Sequence, residues 1–251
     1  MRLTPAQRLM QRRHATVAAG GSPRARGGAQ QAATTAYRLQ LAELGDCLRQ
    51  LKQIQAREAK IARKRELIAT FDPWVAGILD AHRSGAAPVQ DDIVLTMMVW
   101  SLDIEDHDRA LPLIGYVLEN DLDMPERYTR TAPTVIAEIA ADSAIARIGL
   151  GEIPDLGFLT LVEEMTSEKD MIDEVRAKLH KSIGLTLTAI AAAPADEADA
   201  EAENRAGGRR AALAAAVPHL KRALHLHSKA GVKKELDKAE RQLAKESSPP
   251  E

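Results

Sequence analysis

The sequence predicts an all-α fold: a long N-terminal coiled-coil-like helix followed by helical hairpins with weak tetratricopeptide-like character. Three observations predict it. Alanine and leucine supply much of a hydrophobic fraction of 45%, and both are strong helix formers. β-Branched residues seldom alternate with polar ones, so no run carries the period-two pattern of a half-buried strand. Over residues 91–120 the apolar positions Ile93, Met97 and Trp100, then Leu111, Ile114 and Leu118, recur at three- and four-residue steps around the acidic turn Ile104–Asp108, the spacing of two packed helices. This hairpin holds one of only two tryptophans and is expected to form a major part of the core.

Residues 1–33 combine Pro5, Gly20, Gly21, Pro23, Gly27 and Gly28 with arginine, glutamine and alanine. They lack an apolar stripe, so they read as a flexible basic arm. Residues 34–70 follow with Gly45 as the only glycine and no proline. There Leu41, Leu44, Leu48 and Leu51 keep a 3-4-3 spacing, and Ile54, Ile61 and Ile68 continue at seven-residue steps one position out of phase. The pattern predicts one long helix with a stutter in its seam. A narrow seam cannot be buried by its own helix, so it calls for a partner helix, from another copy of the chain or from the same one.

Residues 71–190 read as a central helical domain. Asp72-Pro73 is a start signal, with Trp74, Ile78 and Leu79 inward and Ser84-Gly85 ending the helix. Asp91 and Asp92 place negative charge at the start of the hairpin, where a helix N-terminus favours it. After the hairpin, Arg127, Tyr128 and Arg130 lie in a connecting loop, where they either touch nucleic acid or cap a turn. Helices are expected over 135–148 and 157–165, and a longer one on Ile172, Val175, Leu179, Ile183 and Leu187. Residues 191–208, alanine with five acids before the first base, Arg205, read as an acidic linker. Residues 209–246 carry a last helical hairpin, and 247–251 a tail. Ala216, Leu220 and Ala223 are small-large-small at helical steps, with Gly184 upstream in the same unit, but no repeat period is recoverable.

Charge and chemistry narrow the function. The formal net charge is −2, yet the first 42 residues hold seven arginines and no acid. Such segregation points to a polyanion. The long helix closes on Arg57, Lys60, Arg63, Lys64 and Arg65, of which Arg57, Lys60 and Lys64 share one face; this run either holds phosphates or is a solvated helix face. One cysteine, Cys47, excludes an intrachain disulfide and a cysteine-rich zinc site. The longest weakly polar run, 183–195, is too short to span a bilayer, and the stretch 15–21 is too short and glycine-rich for an export signal. No GxxxxGK[ST] loop is present. The cluster Asp103, Glu105, Asp106 and Asp108 with His107 offers magnesium ligands in principle, but in a helix turn Asp106 or Asp108 is better placed as an N-cap. His219, His225 and His227 do not share a face at zinc-site spacing. No cofactor, metal site or catalytic residue is expected. Two classes survive: a DNA-binding adaptor, favoured by the charge segregation, or a helical-repeat interaction scaffold that does not touch DNA.

Several segments go further. KREL at 64–67, DPWVAGIL at 72–79, VQDDIVLTMMVWSLD at 89–103, MPERYTRTAP at 124–133, DEVRAKLHKSIGL at 173–185, HLKRAL at 219–224 and AGVKKELDKAERQL at 230–243 occur in this order. Together they resemble the small terminase subunit of temperate, contractile-tailed phages of the Peduovirus type, also named the terminase endonuclease subunit. The resemblance implies a protein of the host bacterial cytoplasm that binds double-stranded viral DNA at the cohesive-end packaging site. It also implies recruitment of a large terminase subunit, which carries the ATPase and nuclease, and assembly as a homo-oligomeric ring. On this reading Arg8, Arg12, Arg13, Arg24 and Arg26 of the arm and Arg57, Lys60, Arg63, Lys64 and Arg65 of the helix contact DNA, while Leu41, Leu44, Leu48 and Leu51 assemble the ring.

Overall fold

The computed structural model describes residues 4–19, 27–193 and 202–247. Among them are eleven α-helices and one 3-10 turn, and no strand. The chain divides into two compact units, residues 1–132 and 133–251. The first contains α1 (Pro5–Ala19), α2 (Gly27–Gln53), α3 (Arg57–Leu67), a 3-10 turn (Ile68–Thr70), α4 (Asp72–Arg83), α5 (Asp92–Asp103) and α6 (His107–Glu119). The second contains α7 (Ala132–Gly149), α8 (Leu156–Thr166), α9 (Asp173–Ala192), α10 (Ala202–Leu226) and α11 (Lys233–Ser247).

The hairpin expected over 91–120 is α5 and α6. All residues of α5 from Ile93 to Leu102 are buried, which is what a helix apolar on every side requires. Its two interior hydroxyls are satisfied along the helix itself, Thr96 donating to Asp92 O (2.5 Å) and Ser101 to Met97 O (2.7 Å). Asp91 caps it. One carboxylate oxygen accepts from the amides of Ile93 (2.8 Å) and Val94 (3.0 Å), and the other accepts from the indole N–H of Trp74 (2.9 Å). At the other end of the hairpin turn, Asp106 caps α6 by accepting from Arg109 N at 3.1 Å.

α4 buries Trp74, Gly77, Ile78 and Ala81, one face at helical steps. Its N-cap is Phe71 rather than Asp72, and Pro73 lies in its first turn. The Asp72 carboxylate instead pairs with Arg109 of α6. Trp74 stacks on Tyr37 of α2 with ring centroids 5.7 Å apart, and Phe71 meets Trp100 edge-on at 6.3 Å. Burial raises the Tyr37 phenol to a pKa of about 12, and its oxygen accepts from Asp92 N at 3.3 Å. α4 ends at Ser84, with Gly85 at a φ of 89°, a conformation glycine reaches without steric cost.

Two departures from the expected organisation lie in the first seventy residues. Pro5–Ala19, within the stretch expected to be a flexible arm, is a helix packed on α4 and α2. The expected single long helix is two, α2 and α3, separated by Ile54–Ala56, with Ala56 extended at φ −68°, ψ 131°. The phase slip between the leucine seam and Ile54, Ile61 and Ile68 marks a break, not a stutter. The seam is covered within the chain at Leu44 and Leu51, both buried, and Cys47 joins them.

In the second unit Asp155 caps α8 by accepting from Phe158 N at 3.0 Å, and Arg176 of α9 donates to the carbonyls of Thr166 and Lys169 at the far end of that helix. α9, α10 and α11 enclose Ala191, Leu213, Leu220, Ala223, Val232, Leu236 and Ala239. At the α9–α10 crossing a β-carbon on Gly184 would stand 2.7 Å from Leu220 Cγ and Cδ2. The small-large-small pattern of Ala216, Leu220 and Ala223 thus acts at one helix crossing. The structure establishes the all-α class; it does not establish a coiled coil or a tetratricopeptide array. Of the expected acidic linker, 191–192 close α9 and 202–208 open α10, and 194–201 lie outside the described residues.

Beside the crossing, Nδ1 of His180 and Nδ1 of His219 lie 3.0 Å apart, so one donates and the other accepts. Burial, then His219, Arg222 and Arg176, push the His180 pKa down from 6.5 to about 4, and burial also lowers His219 against the opposing charge of Glu163.

Two outcomes are expected. Replacing Asp91 with Ala strips the cap and orphans the Trp74 N–H, a loss of about 2–4 kcal/mol, whereas Asn keeps the cap but turns its NH2 toward the Trp74 N–H and so recovers only part of that loss. Urea unfolding followed by tryptophan fluorescence measures both. Because the folded state holds His180 neutral down to about pH 4 while the unfolded state protonates near 6.5, stability falls as pH drops through that window and gains nothing from this group above it. Urea midpoints by circular dichroism between pH 7 and 5 should decline in the native chain and decline less in His180→Gln.

Candidate nucleic-acid interface

The expected phosphate contacts fall into two groups that the structure treats differently. On α1 the helix start is fixed by a capping box. Thr4 N donates to Gln7 Oε1 (2.8 Å) and Gln7 N to Thr4 Oγ1 (3.3 Å), with Pro5 in the first position. The T-P-x-Q signature is present in the sequence and marks this helix, although its small apolar stripe does not. Ala15 and Ala19 are its buried residues. Docking depends on Gly77, where a β-carbon would lie 2.5 Å from Arg12 O and 2.7 Å from Ala15 Cβ. Thr16 Oγ1 donates to Arg12 O (2.9 Å) and reaches Gly77 O (3.4 Å).

Arg8, Arg12 and Arg13 are exposed on this helix. Arg12 pairs with Asp80 of α4, and Arg83 donates to the same carboxylate at 2.6 Å. The hydrogen bond from Arg12, aided by both guanidinium charges, holds the Asp80 carboxyl below its usual range. Arg24 and Arg26 lie outside the described residues.

The basic run of α3 is divided by function. Lys64 pairs with Asp103 at the end of α5. Arg65 donates to Ile104 O at 3.2 Å, and Arg63 reaches back to Gln50 of α2 (2.8 Å) and to Glu66 (2.5 Å). These three residues tie α3 to its neighbours. Arg57 is exposed and Lys60 half-buried; neither side chain has a hydrogen-bond or ion-pair partner among the described residues. Sequence spacing places Lys64 on the same face as Arg57 and Lys60, but it carries no information about Asp103, thirty-nine positions away.

The remaining candidates are absorbed by structure. Asp103 holds Lys64, and Asp106 caps α6 and accepts from Arg109 Nε at 3.1 Å. Burial raises the Asp72 carboxyl, opposed by Arg109. Arg127 of the loop donates to Thr96 and lies 5.0 Å over the Tyr128 ring. Cys47 is buried in α2, its thiol pKa raised by that burial. Among the described residues no three histidine, cysteine, aspartate or glutamate side chains are placed to hold a metal ion, and no helix is long and apolar enough to cross a membrane. Of the four seam leucines, Leu44 and Leu51 belong to the core, whereas Leu41 and Leu48 are half-buried.

What α1 and α3 each offer chemically is fixed positive charge on a short helix. That charge suits phosphate contacts, which are sequence-independent and weaken with salt. A family model described as phage small terminase subunit matches residues 41–174, from α2 into α9. The terminase, endonuclease subunit of Escherichia phage P2 is 38% identical over 246 residues, covering 98% of this chain and 88% of that protein. No solved structure matches the chain. With a family model over more than half its length and a relative aligned almost end to end, this chain belongs to the phage small terminase subunit family.

Proposed function

We propose that this chain recognises double-stranded viral DNA at the cohesive-end packaging site and directs a large terminase subunit, the ATPase and nuclease, to cut and package it in the host bacterial cytoplasm. The observation that carries the reading is the pair of cations Arg57 and Lys60, without side-chain partners among the described residues and one helical turn apart on α3, in a member of a phage packaging family. Exposed Arg8 and Arg13 on α1 add to it. The name of the P2 relative contains "endonuclease subunit". We take the role here to be steering the cut, with the chemistry in the large subunit, since Asp103 and Asp106 of the 103–108 turn serve as an ion-pair partner and a helix cap. The second unit, residues 133–251, provides the surface for recruitment.

Assembly into a homo-oligomeric ring belongs to the same reading. Leu44 and Leu51 are buried in the chain's own core, so the seam left for a second copy is Leu41 and Leu48. Light scattering should show a lower assembly mass for Leu41→Glu with Leu48→Glu; an unchanged mass sinks this interface.

For DNA, the Arg57→Gln, Lys60→Gln double variant should bind cohesive-end and unrelated duplexes more weakly in gel shifts. Its plot of log affinity against log salt should flatten by about 0.9 for each phosphate that is no longer neutralised. Equal affinity and equal slope would show that these cations are only solvated surface.

A further inference from the structure

α3 has no buried residue. Its apolar side chains Ile61 and Leu67 are only half-buried, so an apolar stripe sets its orientation less firmly than in α4 and α5, and polar ties add to it. All of the described side-chain ties sit at residues 63–65: Arg63 to Gln50 and Glu66, Lys64 to Asp103, and Arg65 to Ile104 O. Upstream of them no side-chain hydrogen bond or ion pair ties the helix to a neighbour among the described residues. It starts at an extended Ala56 with no side-chain cap, and its first turn carries Arg57 and Lys60 with Glu58 as the one acid, so two cations stand near the positive end of the helix dipole, where an added anion is favoured.

Among the three ties, the Lys64–Asp103 pair is the most shielded. Its side chains are 18% and 28% exposed, so it is screened by salt less than a surface pair. It also joins α3 to Asp103, the last residue of α5, a helix buried from Ile93 to Leu102.

We propose that the Lys64–Asp103 ion pair positions Arg57 and Lys60 for DNA phosphates, and that Lys64 is a positioning residue and not itself a phosphate ligand. The inference rests on the DNA reading above and adds to it the part of the fold that aims the contact. It also separates two roles that the sequence run Arg57–Arg65 merges, since the same type of charge anchors the helix at one end and meets the ligand at the other.

The test uses Asp103→Asn in the full chain, because this change raises the positive charge. If Asp103 acted only through long-range charge, its removal would tighten DNA binding. As part of the positioning pair, its removal should weaken binding about threefold or more and move the salt slope toward that of Arg57→Gln, Lys60→Gln. Asp103→Glu, which keeps the carboxylate, should recover most of the affinity. Hydrogen exchange at the α3 amides reads the same event without DNA, with faster exchange in Asp103→Asn while the far-UV melt still reports a folded chain; a general loss of stability would lower the active fraction and leave the slope alone. Affinity equal to or above the native chain's, or α3 exchange unchanged, overturns the proposal. If Arg57→Gln, Lys60→Gln binds like the native chain, the DNA reading itself fails, and that result is distinct from a failure of Asp103→Asn alone.

Discussion

The first unit is organised by a buried carboxylate. Asp91 has no solvent to stabilise its charge, and burial raises its pKa against the opposing hydrogen bonds from Trp74, Val94 and Ile93. It remains in the core because those bonds join α4 to the N-terminus of α5 at one point. Tyr37 stacks on Trp74 and accepts from the next amide, Asp92, so α2 is drawn to the same place. The opposite end of α5 receives Lys64 and Arg65 of α3. A single buried helix therefore takes its neighbours at both ends through polar contacts and along its length through apolar ones. The N-terminal helix α1 is one layer further out, held by α4 through Gly77. Each basic helix owes its placement, directly or through α4, to α5.

Much of this was legible in the sequence. The hairpin α5–α6 followed from apolar spacing; charge at the start of α5 was expected of Asp91 and Asp92, and a cap on α6 of Asp106 or Asp108, of which Asp91 and Asp106 are the caps. What failed to show was contact at a distance. α1 has almost no apolar stripe because its docking site needs none: Ala15 fits against a position that has no side chain, and pattern reading of α1 alone cannot see Gly77. The α2–α3 break contains neither proline nor glycine, and its one signal was the slip of register after Leu51. In the basic run, periodicity reported which cations share a face, while the sorting of those cations into anchors and free charges depends on Asp103 and Ile104, at the end of another helix.

Membership in the small terminase family gives this charge distribution its context. On the proposed reading, in which the chain holds a duplex while another subunit acts on it, adhesion has to be strong at low salt, tolerant of sequence and reversible, which are the properties of phosphate contacts from fixed cations. A reactive centre would place other demands on its residues. The carboxylates of the 103–108 turn illustrate the difference: residue types and spacing that suggest a magnesium site in isolation are engaged, at Asp103 and Asp106, by Lys64, Arg109 and the start of α6.

In the second unit, Leu220 fills the space that a β-carbon at position 184 would claim. The crossing of α9 and α10 therefore depends on two residues of opposite size, and neither position can drift alone. A larger residue at 184 becomes acceptable only once 220 has shrunk, and a smaller residue at 220 leaves a void that only 184 can refill. The two sites form one epistatic unit: substitutions harmful singly can be neutral together, and the order in which they arise decides whether the C-terminal hairpin stays folded along the way.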